Sequence, residues 1–589
     1  MKLQQERWWW WWCVAAVMGG GWVGVVEGVA GVEELTRLHT LDGVITGLLR
    51  AHLHLHLPEN HLPESPSQST PPLAAHLPHL ARVRRYVQEY IGDSTIILKE
   101  GKEEEERTWE RAWEEGGVAG DPLRSLVVAR RLAKDWPRLR DMAPSTLKDW
   151  KDIEVAVEGV EKALRMEAGK DIYLEALEES LAYLHHLYHL DALHLARGRH
   201  TNTPSHHHLA SLRVEDLVGV GVAALEEEMY GPAVEWLTAA QHLINEDASQ
   251  GVDSRALKRQ RQHLSLLLQV AVAAHDNKLA AEGFEGQRGV YPYPLSKVPL
   301  KDQKAVEESK KPALPRQLPT DVTSLPSDHH ALGYLCRGHS LRSARQEGRL
   351  RCRLSSRGSA WLTLMPVLEE DLSLDPPVVS FHRILSDAQL TTLKHLGAPI
   401  VCHMPATVQG VEGKQIARYR ASHTAWLGGG IHPMVRSVNR LAAALTGLAV
   451  DEAAGEAEML QINQYGAGGH YVPHMDFVAL YRNIWEAGLL NHTLLQEHPQ
   501  GDRIATLMFY MNDVPEGGRT VFPRLGVGVA PEKGSAIFWW NLLPSGKGDE
   551  RTLHAACPVL SGTKWVSNVW IKYYPQVHHR PCVATTVRQ

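Results

Sequence analysis

The chain has 589 residues, 44% of them hydrophobic and 22% charged, which excludes wholesale disorder and collagen-like repeats. At roughly 150 residues per domain the length predicts about four structural units. With 68 acidic and 62 basic residues the net charge is −6, which argues against a nucleic-acid partner, and six cysteines are too few for a disulfide scaffold.

Residues 1–30 join a charged start to an apolar run, Trp8 to Val26, with five consecutive Trp and small residues near Gly28–Gly31. This pattern predicts a signal peptide cleaved near Ala30, with removal of Cys13; a retained signal anchor is the alternative. No later stretch is long and apolar enough to predict a stable membrane span. Residues 31–165 read as mostly helical. Val44, Leu48, Ala51 and Leu55 repeat at helical spacing, as does Leu123 to Leu139, and six prolines between Pro58 and Pro78 mark an inserted loop. The alternating His52, His54 and His56 lack acidic or Cys partners and read as incidental.

Residues 166–285 predict paired helices. Leu174, Leu177, Leu181, Leu184 and Tyr188 form one stripe; Ala233, Leu237, Ala240 and Ile244 form another behind Pro232 at a first helical position; Leu257 to Ala274 form a third. The arrangement suggests a tetratricopeptide-like, peptide-binding unit or, equally on periodicity, a plain helical bundle. Tyr188 and Tyr230 are its candidate residues for stacking on a proline-rich peptide. Residues 286–375 read as a Pro- and Lys-rich linker followed by a segment carrying Cys336 and Cys352. Residues 376–589 then turn to short β-type segments, Arg503–Val514, Ser535–Leu543 and Lys564–Tyr574 among them, which predicts a sandwich or jelly roll.

Within that β region lies Tyr465-Gly-Ala-Gly-Gly-His-Tyr-Val-Pro-His474-Met-Asp476. Positions i and i+2 of a strand share a face, so His474 and Asp476 offer imidazole and carboxylate to one ion. With His554 they complete a two-His-one-carboxylate set of the kind that holds Fe(II) with open positions. Lys564, ten residues later, opens a strand and supplies a cation suited to the distal carboxylate of a 2-oxo acid. A lone His-x-Asp is weak evidence; the order His-x-Asp, His, Lys is much stronger. Tyr465 and Tyr510 are aromatic residues on strands, which are usually core.

The segments Arg503-Ile-Ala-Thr-Leu-Met-Phe-Tyr-Met-Asn-Asp-Val, Gly517-Gly-Arg-Thr-Val-Phe-Pro and His554-Ala-Ala-Cys-Pro-Val-Leu, with Tyr334-Leu-Cys336-Arg-Gly and Trp565-Val-Ser-Asn568, resemble collagen prolyl 4-hydroxylase α subunits. The resemblance is close from Tyr334 to Cys582, weaker over the helical middle, and reduced before that to Asp121-Pro-Leu and Trp136. It implies a multidomain α + β protein: an N-terminal dimerisation-type helical region, a tetratricopeptide-like domain and a C-terminal double-stranded β-helix. It also implies Fe(II) on His474, Asp476 and His554, and 2-oxoglutarate against Lys564 with Tyr465 and Tyr510. L-ascorbate is implied as the agent that restores oxidised iron.

The implied substrate is procollagen or another proline-rich polypeptide. The implied partner is protein disulfide isomerase in an α2β2 tetramer, and the implied compartment is the endoplasmic reticulum lumen. The alternatives are a hydroxylase of other proline-rich secreted proteins, or a peptide-binding subunit with an inactive dioxygenase domain. The resemblance further implies bridges Cys336–Cys352 and Cys557–Cys582, leaving Cys402 free. Departures from the family are the long 477–502 connection with its glycosylation sequon at Asn491, the Pro58–Pro78 insertion, and Leu553 where the collagen enzymes usually have Arg.

Overall fold

The computed structural model describes residues 39, 42–43, 45–48, 120–141, 150–165, 172–198, 212–249, 255–282, 290–291, 294–297, 328–401, 407–410, 413–416, 422–477 and 499–581. The Trp-rich start, the Pro58–Pro78 insertion, the His206–His208 run, Cys402, the Asn491 sequon and Cys582 lie outside them. Among the described residues no helix is long and apolar enough to cross a membrane. The chain divides into two compact units: Met1–Tyr183 with Leu190–Glu227 and Pro232–Ala271, and Leu184–His189 with Glu228–Gly231 and Val272–Gln589.

The first unit is helical. Helix α1 (Pro122–Arg130) starts where an Asp-Pro pair predicts a start: Asp121 accepts hydrogen bonds from the Leu123 and Arg124 amides, and Pro122 needs no partner for an absent N–H. A π-helical turn, Arg131–Asp135, leads into α2 (Trp136–Asp141). Buried charges here are paired. Arg130 contacts Asp135 and Asp216, and Asp42 accepts from both Arg131 at 3.0 Å and Trp136 Nε1 at 2.8 Å. Then come α3 (Trp150–Arg165), α4 (Ile172–Tyr188), α5 (Ala192–Ala196), α6 (Val214–Glu226), α7 (Tyr230–Ser249) and α8 (Arg255–Glu282), the last helices lying partly in the second unit. The Leu174-to-Tyr188 stripe falls on α4 as the spacing predicts. Helix α7 starts at Tyr230, so Pro232 is its third residue rather than its first; a proline is tolerated there because first-turn amides have no intrahelical acceptor.

Part of the expected linker is built against α8. Buried His275 accepts the Tyr291 amide at 2.8 Å, and Asp276 accepts those of Leu295 and Ser296. The hydrogen bonds to Asp276 outweigh the opposing effect of burial and hold its carboxyl at about 2.

The β architecture starts earlier than residue 376. After α9 (Asp328–Cys336), strands β1 (Cys352–Ser355) and β2 (Val367–Leu374) already belong to the large sheet. They are followed by β3 (Pro377–His382), β4 (Thr407–Gly410), β5 (Gly413–Ile416), β6 (His423–Leu427), β7 (Leu460–Tyr465), β8 (Tyr471–His474), β9 (Arg503–Tyr510), β10 (Glu516–Gly517), β11 (Thr520–Phe522), β12 (Val527–Val529), β13 (Ala536–Trp540), β14 (His554–Ala556), β15 (Val559–Ser561) and β16 (Lys564–Lys572).

Eight strands pair in the order β1-β2-β3-β13-β9-β16-β7-β6, and four in the order β12-β11-β14-β8, with antiparallel neighbours throughout. The apolar core draws on both sheets: Val378, Met508, Ile537, Trp539 and Val566 from the large one pack with Phe522 and Val527 from the small one. Full burial of side chains this size is worth about 1.5–3 kcal/mol each. That packing fixes the distance across which polar side chains from one sheet meet the other.

One bond in this unit departs from the expected pattern. Cys336, at the end of α9, is bridged to Cys557 just after β14, at a sequence separation of 221, while Cys352 is a free, exposed thiol. The expected Cys336–Cys352 and Cys557–Cys582 bridges are therefore both replaced. The physical reason is packing. Cys336 and Cys557 are buried in one cluster with Leu187, Leu335, Val521 and Ala555, whereas Cys352 faces solvent on edge strand β1. Short loops make a bridge entropically easy to close, but the side chains have to meet.

Candidate active site

His474 ends β8 and His554 begins β14, and the two strands pair with His474 directly opposite His554. Asp476 is not on the strand, as alternation suggests; it lies two residues beyond, in the bend that ends β8. The bend still delivers it. Asp476 Oδ1 is 3.9 Å from His474 Nε2, Oδ2 is 3.7 Å from His554 Nε2, and the ring centroids are 4.3 Å apart. One ligand atom from each of the three residues lies within 4.8 Å of the others, the one such group of three or more among the described residues.

Each imidazole is turned the right way for a cation. His474 Nδ1 lies 2.8 Å from the Val472 carbonyl and His554 Nδ1 3.1 Å from that of Thr552. A carbonyl only accepts, so Nδ1 carries the hydrogen and the Nε2 lone pair faces the cluster. Trp539 and Phe522 wall the His554 ring at 4.8 and 5.7 Å, and Tyr471 stacks on His474 at 3.5 Å.

Asp476 is buried, which by itself raises a carboxyl pKa. The facing His554 and His474, Arg503, and a hydrogen bond from Thr506 outweigh that and hold it below its usual range. Arg503 is itself fixed by a bidentate pair with Glu458 (2.7 and 2.9 Å) and by stacking 3.5 Å over the Trp570 ring. Burial opposes ionisation of Glu458, but Arg503 and Lys572 bring its pKa down to about 2.

The second cluster is of a different kind. Lys564 opens β16 opposite Tyr465 on β7, is 1% exposed, and reaches across to the Thr520 hydroxyl of the small sheet at 3.2 Å. Among the described residues no carboxylate pairs with it. Burial alone lowers its pKa to about 7. The Tyr465 and Tyr510 rings lie 5.7 and 5.8 Å from its Nζ. Tyr510 Oη is buried beside Thr520 without a hydrogen bond of ordinary geometry, and burial raises its pKa. A desolvated ammonium beside an unused hydroxyl is a cradle for an anionic oxygen group. Two imidazoles with one carboxylate suit a divalent ion such as Fe(II) with open positions. The residues therefore fit both groups that the sequence implies.

Other expected residues are placed differently. Tyr188 gives its hydroxyl to the Pro558 carbonyl at 2.5 Å and its ring to the cluster around Cys336 and Cys557, so it is committed to packing rather than open for stacking. Tyr230 is half-buried at the start of α7. Sequence reasoning missed Thr506, Asn541, Arg503 and Glu458. Strand alternation backwards from Tyr510 through 508 to 506 was the available signal for Thr506.

Residues 460–572 match the family model of the 2OG-Fe(II) oxygenase superfamily. The chain is 33% identical over 481 residues to prolyl 4-hydroxylase subunit alpha-1 of Rattus norvegicus, covering 79% of this chain and 85% of the relative. Over 479 residues it is 32% identical to subunit alpha-1 of Homo sapiens (79% and 85%), and over 487 residues 33% identical to subunit alpha-3 of Bos taurus (78% and 84%). With its metal-type triad and buried lysine in place, this chain belongs to the family of prolyl 4-hydroxylase α subunits.

Proposed function

We propose that the chain hydroxylates C4 of proline in collagen-type X-Pro-Gly sequences, consuming O2 and 2-oxoglutarate and releasing succinate and CO2. The observation that carries this reading is the complete His474–Asp476–His554 set, with both Nε2 atoms and the carboxylate converging, in the same domain as an unpaired buried Lys564. When bound, Fe(II) and 2-oxoglutarate would activate O2, the oxidant, whose one oxygen atom ends in succinate as CO2 leaves and whose other replaces a proline C–H bond by C–OH. The chain's own residues do the rest. His474, Asp476 and His554 would hold the metal with no spare protein ligand, and the Nδ1 contacts keep both rings in register. Lys564 would neutralise the distal carboxylate of 2-oxoglutarate, with Tyr510 and Tyr465 as further donors. The apolar surround of Trp539, Phe522 and Val566 keeps water from competing for those contacts. L-ascorbate would serve to restore oxidised metal.

The proposed organisation is a signal peptide over 1–30, a dimerisation-type helical region over 31–165, a tetratricopeptide-like peptide domain over 166–285, and a connecting segment from 286 that leads into a double-stranded β-helix domain, which takes in β1 and β2 ahead of the expected start at 376. Tyr230 is the remaining peptide-stacking candidate, Asn491 the glycosylation site, protein disulfide isomerase the β partner, and the endoplasmic reticulum lumen the compartment. The dimerisation-type region, the β partner and the compartment follow from the family resemblance, whereas the signal peptide and the Asn491 site rest on sequence pattern. Succinate release driven by (Pro-Pro-Gly) repeat peptides tests the reading. Turnover supports it; turnover only with a different proline-rich peptide moves the substrate class; no turnover with any peptide leaves a binding subunit.

A further inference from the structure

The Asp476 carboxylate has two oxygens, and the chain treats them unequally. Oδ2 accepts the Thr506 hydroxyl at 2.6 Å, and Thr506 Oγ1 lies 2.9 Å from Asn541 Nδ2, all three residues being buried. A metal-ligating carboxylate is ionised and only accepts, so the single Thr506 proton must point at it. The Thr506 lone pairs are then what Asn541 meets, which fixes its amide as donor. The chain of hydrogen bonds thus has one direction, from Asn541 through Thr506 to Asp476. Thr506 sits on β9 and Asn541 immediately after β13, neighbouring strands of the large sheet, whereas Asp476 follows β8 of the small one. The chain therefore ties the carboxylate to a scaffold separate from the strands that carry His474 and His554.

We infer that Thr506, oriented by Asn541, is a positioning residue that occupies Asp476 Oδ2 and leaves Oδ1 as the metal ligand, keeping the carboxylate monodentate. The inference rests on the metal-centre reading above. A carboxylate released from Thr506 is free to rotate and offer both oxygens, taking up a coordination position that would otherwise stay open, or to turn away from the ion. Hydrogen-bond partners of metal ligands are typically worth 10–100-fold in affinity.

The test uses the full-length chain and Co(II) as the probe, following affinity and the visible absorption of the bound ion without cosubstrate. Wild type should bind one Co(II) competitively with Fe(II), and His474→Ala should not. Thr506→Val, which keeps the shape and removes the donor, should lose 10–100-fold in affinity and change the Co(II) band intensity, the signature of altered coordination number. Thr506→Ser should restore both. Asn541→Ala, which leaves Thr506 in place but unoriented, should fall between them. If wild type binds Co(II) and Thr506→Val matches it in affinity and spectrum, the positioning role is overturned while the metal centre stands. A Thr506→Ser variant as weak as Thr506→Val also overturns it. Failure of wild type to bind Co(II) removes the metal centre and the inference together.

Discussion

Two polar bridges cross the apolar interior of the β domain, and they are finished to different degrees. At one, Asn541 donates to Thr506 and Thr506 to Asp476, Arg503 meets Glu458, and both histidines are braced by carbonyls. At the other, among the described residues, Lys564 has one hydrogen-bond partner, the neutral Thr520 hydroxyl, and Tyr510 Oη has none of ordinary geometry. The first arrangement is set in the protein before anything binds. The second leaves a buried cation whose desolvation goes uncompensated until an anion arrives. Rigid preorganisation suits a site that must hold three ligands around one ion, and an open electrostatic deficit suits a site for a co-reactant used once per turnover.

Breaking the braced side should have the largest effect. His474→Ala, Asp476→Ala and His554→Ala should each abolish succinate release while leaving the far-UV spectrum unchanged; substantial activity in any one at ordinary iron concentration contradicts the ligand set. On the open side, Lys564→Ala should weaken 2-oxoglutarate by roughly 2–5 kcal/mol, as expected for loss of one partner of a desolvated charge pair. Lys564→Arg should retain part of the binding, and an unchanged KM for 2-oxoglutarate in the Ala variant would rule out this contact.

The Cys336–Cys557 bridge sharpens the contrast, since Cys557 directly follows the strand of His554, whereas neither cysteine lies on the strands of Lys564 and Tyr510. Cys336→Ser should cost about 2–4 kcal/mol of stability and weaken metal binding more than 2-oxoglutarate binding. Non-reducing peptide mapping should recover a Cys336–Cys557 peptide. A Cys336–Cys352 peptide in its place would return the pairing to the short loop.

The smallest effect is a pH dependence. Lys564 has a pKa of about 7 in the free protein, well below its unfolded value of about 10.4. An incoming carboxylate needs the ammonium and raises that pKa. Affinity for 2-oxoglutarate should therefore fall as pH rises above about 7, by up to about tenfold per unit, and the dependence should flatten in Lys564→Arg. Stability of the free protein runs the other way. The unfolded state holds the proton between pH 7 and about 10, so folding strengthens across that window. Isothermal titration and thermal melts at pH 6.5, 7.5 and 8.5 read both signs.

The sequence revealed the ligands better than their supports. His474, Asp476, His554 and Lys564 were legible because chemistry restricts the residue types and their order survives along the chain. Asp476 joins the two histidines through a bend rather than through the assumed strand alternation. The Cys336–Cys557 pair was illegible because 221 residues separate its ends and only the packing of α9 against β14 brings them together. Thr506 is marked only by strand alternation with Tyr510, and Asn541 by no spacing at all; each is an ordinary polar residue until two sheets are stacked. Tyr188 reads in the sequence as the end of a helix stripe and a candidate for stacking on peptide, and only the fold reveals its acceptor, the Pro558 carbonyl.

The uncompensated Lys564 also bears on how long such a chain survives in a cell. A ligand that relieves it is selectively a ligand of the folded state, and at a hundred times its Kd it shifts the folding equilibrium by about 2.7 kcal/mol. The open, protease-sensitive fraction then shrinks by about a hundredfold. Wherever proteolysis proceeds through that open fraction, supply of the ligand slows loss of the protein as well as feeding its turnover.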